Sequence, residues 1–161
     1  MSQKYVIAHF FDAQASSANF SALEWPLHVT LLPIFTLRRP LEKLVYQLDR
    51  LTLSIAPFDI KTEGQALFGA DKDVRVSLVR PDKEIVDLHN KLVTMSRSVL
   101  AIYDTPQFIG KGYRPHMTIQ DEEELHDGQI YRIENVSLVD MYPNNNINRR
   151  AIIDTYILRS D

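Results

Sequence analysis

The 161-residue chain contains no cysteine, so it can form no disulfide, no thiolate metal site and no thiol nucleophile. That absence fits a reducing compartment. No apolar run approaches the roughly 18 residues that cross a bilayer. The first ten residues, MSQKYVIAHF, carry only a short apolar stretch and no small-residue cleavage pattern, unlike a secretory signal. The expectation is a cytoplasmic protein with no membrane partner. Gly-x-Ser-x-Gly and His-Glu-x-x-His are also missing, which removes the familiar signatures of an acyl-transfer hydrolase and of a zinc site. Nor does one sign of charge dominate: 18 Lys and Arg against 21 Asp and Glu leave a net charge of −3. This is a poor balance for coating long nucleic acid through many phosphate contacts. A local basic pocket would still suffice for a small nucleotide or a single RNA end.

Hydrophobic residues make up 45% of the chain and charged residues 24%, an ordinary globular composition. The length suits one domain spanning residues 1–161, and no segment reads as a linker. No apolar helix face is conspicuously exposed in the pattern, so a monomer is expected. Tyr5 to Phe11 reads as a strand, Asp12 to Ala22 as a surface loop, and Pro26 to Leu32 as a second strand closed by Pro33. Leu41, Leu44, Val45, Leu48 and Leu51 mark an amphipathic helix over about 39–55, with Pro40 in its first turn. Strands follow over 58–68 and 74–79. Asp82 is the candidate N-cap of a second helix with Ile85, Leu88, Leu92, Met95 and Val99 on one face. The Gly110-Lys-Gly112 turn leads to a strand over 113–120, the acidic stretch 121–127 to a solvated loop, and strands over 131–140 and 151–159 flank an Asn-rich loop. Each helix is followed by further strand, an α+β order of two similar halves.

Two short motifs carry the chemistry. In His28-Val29-Thr30 and His116-Met117-Thr118 the histidine and threonine are two residues apart, so on a strand they share a face while apolar neighbours take the other. One such motif arises easily by chance in a chain with five histidines. Two of them, each in an alternating strand, each with a proline just upstream and each in a different half, are harder to dismiss. Paired imidazoles can serve as base and acid in phosphodiester cleavage, because the unperturbed histidine pKa of about 6.5 lies near neutrality. Threonine hydroxyls can donate to the non-bridging oxygens.

The segments WPLHVTLLP (25–33) and YRPHMTIQ (113–120) resemble the paired motifs of the two-histidine, or 2H, phosphoesterase superfamily. That group includes the 2′-5′ RNA ligase-like proteins and the 2′,3′-cyclic nucleotide phosphodiesterases. FDIKTEGQALFG with VRVSLVRPDKEIVDLHNKLV, and YRIENVSLVDMYPN with AIIDTYIL, extend the likeness over essentially the whole chain. The resemblance implies an α+β fold of two pseudo-symmetric lobes of antiparallel sheet, with outer helices and a central cleft. It implies His28 and His116 as acid–base residues, Thr30 and Thr118 as phosphate-contacting hydroxyls, and chemistry that needs neither metal nor cofactor. The implied partner is a small nucleotide or a 2′,3′-cyclic or 2′-5′ RNA end.

Weaker candidates surround this set. Strand parity gives Arg75 and Ser77 one face of the 74–79 strand, where Arg75 could bind phosphate or simply be a surface arginine. Arg114 shares the parity of His116 and could also bind phosphate, and Tyr113 could belong to the core or stack on a base. His9, His89 and His126 read as structural or solvated, and Arg149 and Arg150 as RNA-binding or merely exposed. The alternative function is a non-catalytic module that binds a nucleotide or RNA end in the same cleft.

Overall fold

A computed structural model describes residues 2–12, 14–119 and 127–159. The strand β1 (Tyr5–Phe10) is buried along its whole length, on both faces, as suits a strand with neighbours on either side and cover above and below. Around it are β2 (Asn19–Ser21), β3 (His28–Leu37), β6 (Ala101–Tyr103), β9 (Asn135–Asp140) and β10 (Arg149–Ile157), in the order β2-β10-β9-β1-β3-β6. A second sheet has β7 (His116–Thr118), β5 (Val74–Val79), β4 (Phe58–Phe68) and β8 (Ile130–Ile133), in the order β7-β5-β4-β8. Every pairing between these strands is antiparallel. The helices α1 (Leu41–Thr52) and α2 (Lys83–Ser98) complete the α+β fold.

The apolar periodicity becomes one core. Leu44 and Leu48 of α1 and Ile85, Leu88 and Leu92 of α2 pack with Ile7, Val29, Leu31 and Leu138 of the larger sheet and with Ile60, Met117 and Ile133 of the smaller. Each such side chain contributes about 1.5–3 kcal/mol on burial. A second cluster covers the opposite face of the larger sheet: Val6, Ala8, Phe10, Val139, Met141 and Ile152, with Phe20, Trp25, Ile34 and Tyr142 packed on it. The helices therefore cover one face of that sheet, and the chain between β1 and β3 folds over part of the other.

Several expected boundaries are corrected. The segment 12–22 is not all loop, because β2 pairs with β10 through Phe20 and Arg150. Pro33 does not close β3. It sits where three steps along β3 match two along β1, between Leu32 and Phe35, and such a bulge has no ladder hydrogen bond for proline to forfeit. The 131–140 segment is two strands, and the chain changes sheets across Glu134. β6 is an added three-residue edge strand. β7 is confined to three residues. Asp82 precedes α2, but no side-chain cap bond forms; its carboxylate instead accepts from Arg80 Nε at 2.8 and 3.0 Å. Of the acidic stretch, residues 121–126 lie outside the described residues. Asp127 accepts the Gly64 N–H at 3.0 Å.

Candidate active site

The two motifs come from different sheets. β6 pairs with β3 only at Phe35–Leu37, so the outer edge of β3 near His28 and Thr30 is left to other neighbours. β7 is the edge strand of the smaller sheet, bonded on one side to β5, and it lies against β3. A hydrogen bond crosses this seam: the Tyr113 hydroxyl donates to the Thr30 carbonyl at 2.7 Å.

On β3, His28 pairs with Phe10 and Thr30 with Ala8. Both motif side chains thus belong to the face of the second apolar cluster, opposite the helices. The His28 ring lies 4.8 Å from the Trp25 ring and 5.4 Å from Phe10. On β7, His116 pairs with Leu78 and Thr118 with Val76, while Met117 and Ser77 share the face turned to the main core. Phe68 meets the His116 ring edge-on at 4.7 Å. The guanidinium of Arg114 lies 4.6 Å from the centre of the Phe68 ring.

The two imidazoles are held in the same way. His28 Nδ1 is 2.8 Å from the Pro26 carbonyl, and His116 Nδ1 is 2.7 Å from the Arg114 carbonyl, two residues upstream in each case. A carbonyl only accepts, so each ring carries its proton on Nδ1 and presents the Nε2 lone pair. Among the described residues nothing bonds to either Nε2 or to the hydroxyls of Thr30 and Thr118. Burial pushes the His28 pKa below its ordinary value, against the pull of the Pro26 carbonyl, and the charge of His116 lowers it further. Burial likewise lowers His116, and the nearby Arg114 charge acts in the same direction. β7 lies against β3, and the charge of His116 acts on His28 across that seam.

The weaker candidates separate. Arg114 is exposed beside His116, with no carboxylate partner among the salt bridges of the described residues. Arg75 pairs with Leu67, and its parity with Ser77 puts it on the face opposite His116. Parity along β5 groups the right residues together; the pairing with β7 shows that Val76 and Leu78 are the ones on the His116 side. Tyr113 does not offer a stacking platform on both sides, because one ring face lies on His89, 3.8 Å away and nearly parallel. His9 pairs with Val29 and faces the main core, its Nδ1 donating to the Asn135 carbonyl at 2.8 Å. Arg150 donates to the carbonyls of Met141, Ile147 and Arg149, and Arg149 bonds Asn19. His126 lies outside the described residues. The aromatic neighbours Trp25, Phe10 and Phe68 are absent from the sequence-level candidates. Trp25, three residues before His28, was the one signal that could have been read there.

Among the described residues no group of three or more His, Asp or Glu is placed to hold a metal ion. A groove of about 520 Å³ between the helices, lined among others by Arg50, Leu51, Lys91 and Met95, contains none of the four motif residues.

The sequence profile of the 2′-5′ RNA ligase superfamily matches residues 6–134, a span that includes both motifs. The chain belongs to the 2′-5′ RNA ligase superfamily. The solved structures agree in fold. A structure described as a phosphoesterase superposes with a TM-score of 0.64 at 14% identity, covering 99% of this chain and 100% of that one. TT0787 of Thermus thermophilus gives 0.63 at 17% identity, covering 98% and 99%. E. coli LigT complexed with 3′-AMP gives 0.61 at 14% identity, covering 98% and 99%. No curated protein sequence matches the chain. The α+β architecture, antiparallel sheets with two α-helices among the described residues, matches the LigT-like fold.

Proposed function

We propose that this superfamily member is a phosphoesterase that acts on 2′,3′-cyclic phosphates or 2′-5′ phosphodiesters of RNA ends or small nucleotides, with His28 and His116 as its acid–base pair. The observation that carries the reading is the matched tethering of the two rings, each with Nδ1–H on a carbonyl two residues back and Nε2 unengaged. One Nε2 takes a proton from the attacking water as its oxygen bonds to phosphorus. The bond from phosphorus to a ribose oxygen breaks, and the other imidazole, entering as imidazolium, delivers its Nε2 proton to that oxygen. Which ring starts as base follows the orientation of the substrate and the direction of reaction. Thr30 and Thr118 donate to the non-bridging oxygens, where negative charge is greatest. Arg114 supplies a cation beside His116.

The depressed basicity of both rings has a role in this scheme. Without ligand both tend to be neutral; an anionic phosphate between them favours protonation of one, giving one base and one acid only when substrate is bound. The LigT complexes with 3′-AMP and NADP+ involve small nucleotides, which supports the same ligand class here.

The test is release of a phosphomonoester from 2′,3′-cyclic nucleotides, and cleavage of 2′-5′-linked dinucleotides, by wild type and His116→Ala. The variant is expected to lose about 10²–10⁴-fold in turnover. If wild type and variant are equally inert on both substrates while both bind nucleotide, the chain is a binding module and the enzymatic reading is wrong.

A further inference from the structure

We propose that His89, remote in sequence from both motifs, is a positioning residue that sets the spacing between the two His-x-Thr strands. This rests on the phosphoesterase reading for its kinetic consequence, though not for its structural one. His89 lies on the apolar face of α2 among Ile85, Leu88 and Leu92 and is fully buried. Packing alone would be served there by leucine. Instead both ring nitrogens are engaged. Nδ1 donates to the carbonyl of Leu31 at 2.7 Å, and Nε2 accepts the N–H of Gly110 at 3.0 Å. Only the neutral Nδ1–H form makes both bonds, and burial favours the neutral form.

One anchor lies on a motif strand, β3, and the other opens the turn that leads into the second, β7. Leu31 directly follows Thr30, and it is the extra residue where the β1–β3 ladder slips between Thr30 and Leu32. A bulge leaves a carbonyl without its ladder partner, and His89 takes it. Gly110 opens the turn that delivers Tyr113 and then His116. The turn is tight: Gly110 has φ +68°, and a Cβ on Gly112 would stand 1.9 Å from the Gln107 carbonyl oxygen. On the same ring, Tyr113 stacks at 3.8 Å with an interplanar angle of 3°, and its hydroxyl reaches the Thr30 carbonyl. Successive carbonyls of β3, Thr30 and Leu31, are therefore bound by one stacked pair, and the same pair holds the approach to β7. A change in this strut alters where His116 sits relative to His28 without touching either ring.

Two variants test this. His89→Ala removes both bonds. His89→Gln keeps one donor and one acceptor at about the spacing of the ring nitrogens. Two quantities are read: kcat and KM on a 2′,3′-cyclic nucleotide, and the change in the His28 titration midpoint, followed by NMR, when His116 is replaced by glutamine in each background. In the wild-type background that replacement should raise the His28 midpoint, because a like charge is removed. His89→Ala should abolish the rise and lower kcat about 10–100-fold with KM within about threefold, the signature of misplaced catalytic groups. His89→Gln should recover most of both. A folded His89→Ala that keeps the titration response and the kcat of wild type overturns the proposal, as does a Gln variant no better than Ala. Should His89→Ala fail to fold, a further variant, His89→Leu, which fills the site and removes both bonds, decides: unchanged titration response and unchanged kcat overturn the proposal. If wild type turns over no substrate, the phosphoesterase reading fails, and the titration response alone still decides whether His89 sets the spacing.

Discussion

The indole of Trp25 lies 4.8 Å from the imidazole of His28, and Trp25 is the only tryptophan in the chain. The fluorescence of the whole protein therefore reports on one side of the candidate site. Protonated imidazole quenches a neighbouring indole, whereas the neutral ring does so weakly. Emission should fall on acidification with a midpoint below 6.5, the direction in which burial and the His116 charge move His28. His28→Asn should remove the transition. Inorganic phosphate should move it upward, because an anion near the ring favours the imidazolium. A midpoint at or above 6.5 without ligand would contradict the electrostatic description.

Stability should depend on pH in a predictable direction. His9, His28, His89 and His116 all have pKa values lowered by burial. In the unfolded chain they titrate near 6.5, so between that value and their lowered native values the unfolded state binds more protons than the native one. Stability is then fully present above about pH 7, declines as pH falls through 6.5, and stops declining from this source below the native values. Urea unfolding at pH 8 and pH 5.5 checks this. Equal midpoints would show that the four rings are not held neutral.

Arg114 and Arg75 should separate by sheet face. Arg114 stands beside His116 with its guanidinium over Phe68, so Arg114→Gln should raise KM about 10–100-fold, the scale of a charge-assisted contact to phosphate. Added salt should shrink the difference. Arg75→Gln, on the other face of β5, should leave kcat and KM within about twofold. Equal losses in the two variants would contradict the strand register.

Thr30→Val and Thr118→Val should each lower kcat about 10²-fold, as expected for loss of a donor to developing negative charge, while thermal midpoints stay within a few degrees. The stability half of this follows from the hydroxyls having no partner among the described residues. A large fall in thermal midpoint with unchanged kcat would reassign them to structure.

What could be read from sequence divides along physical lines. The strands β4 and β5 and the apolar face of α2 were legible because period 2 and period 3.6 are properties of the local chain. Pro33 misled because its missing N–H matters only if a ladder partner waits for it, and at a bulge none does. The switch of sheets at Glu134 has no local signature: β8 and β9 alternate alike, and only their partners differ. Arg75 shows the same limit at the site, since parity reveals which residues share a face but not which face meets β7. The histidine motifs were legible as a pattern. Their tethering to Pro26 and Arg114, the aromatic surroundings of His28, and the bond from Tyr113 to Thr30 depend on the folded backbone and on contacts between separate segments, which periodicity does not encode.

The central claim is that His28 and His116 act together on one phosphorus atom, and a double-mutant cycle tests it most directly. The kcat/KM for a 2′,3′-cyclic nucleotide should be measured for His28→Ala, His116→Ala and the double variant. Groups that serve one transition state lose most of their value together. The account predicts that each single variant falls about 10²–10⁴-fold and that the double variant falls little further. Independent, multiplying losses, or a single variant with wild-type turnover, would contradict it.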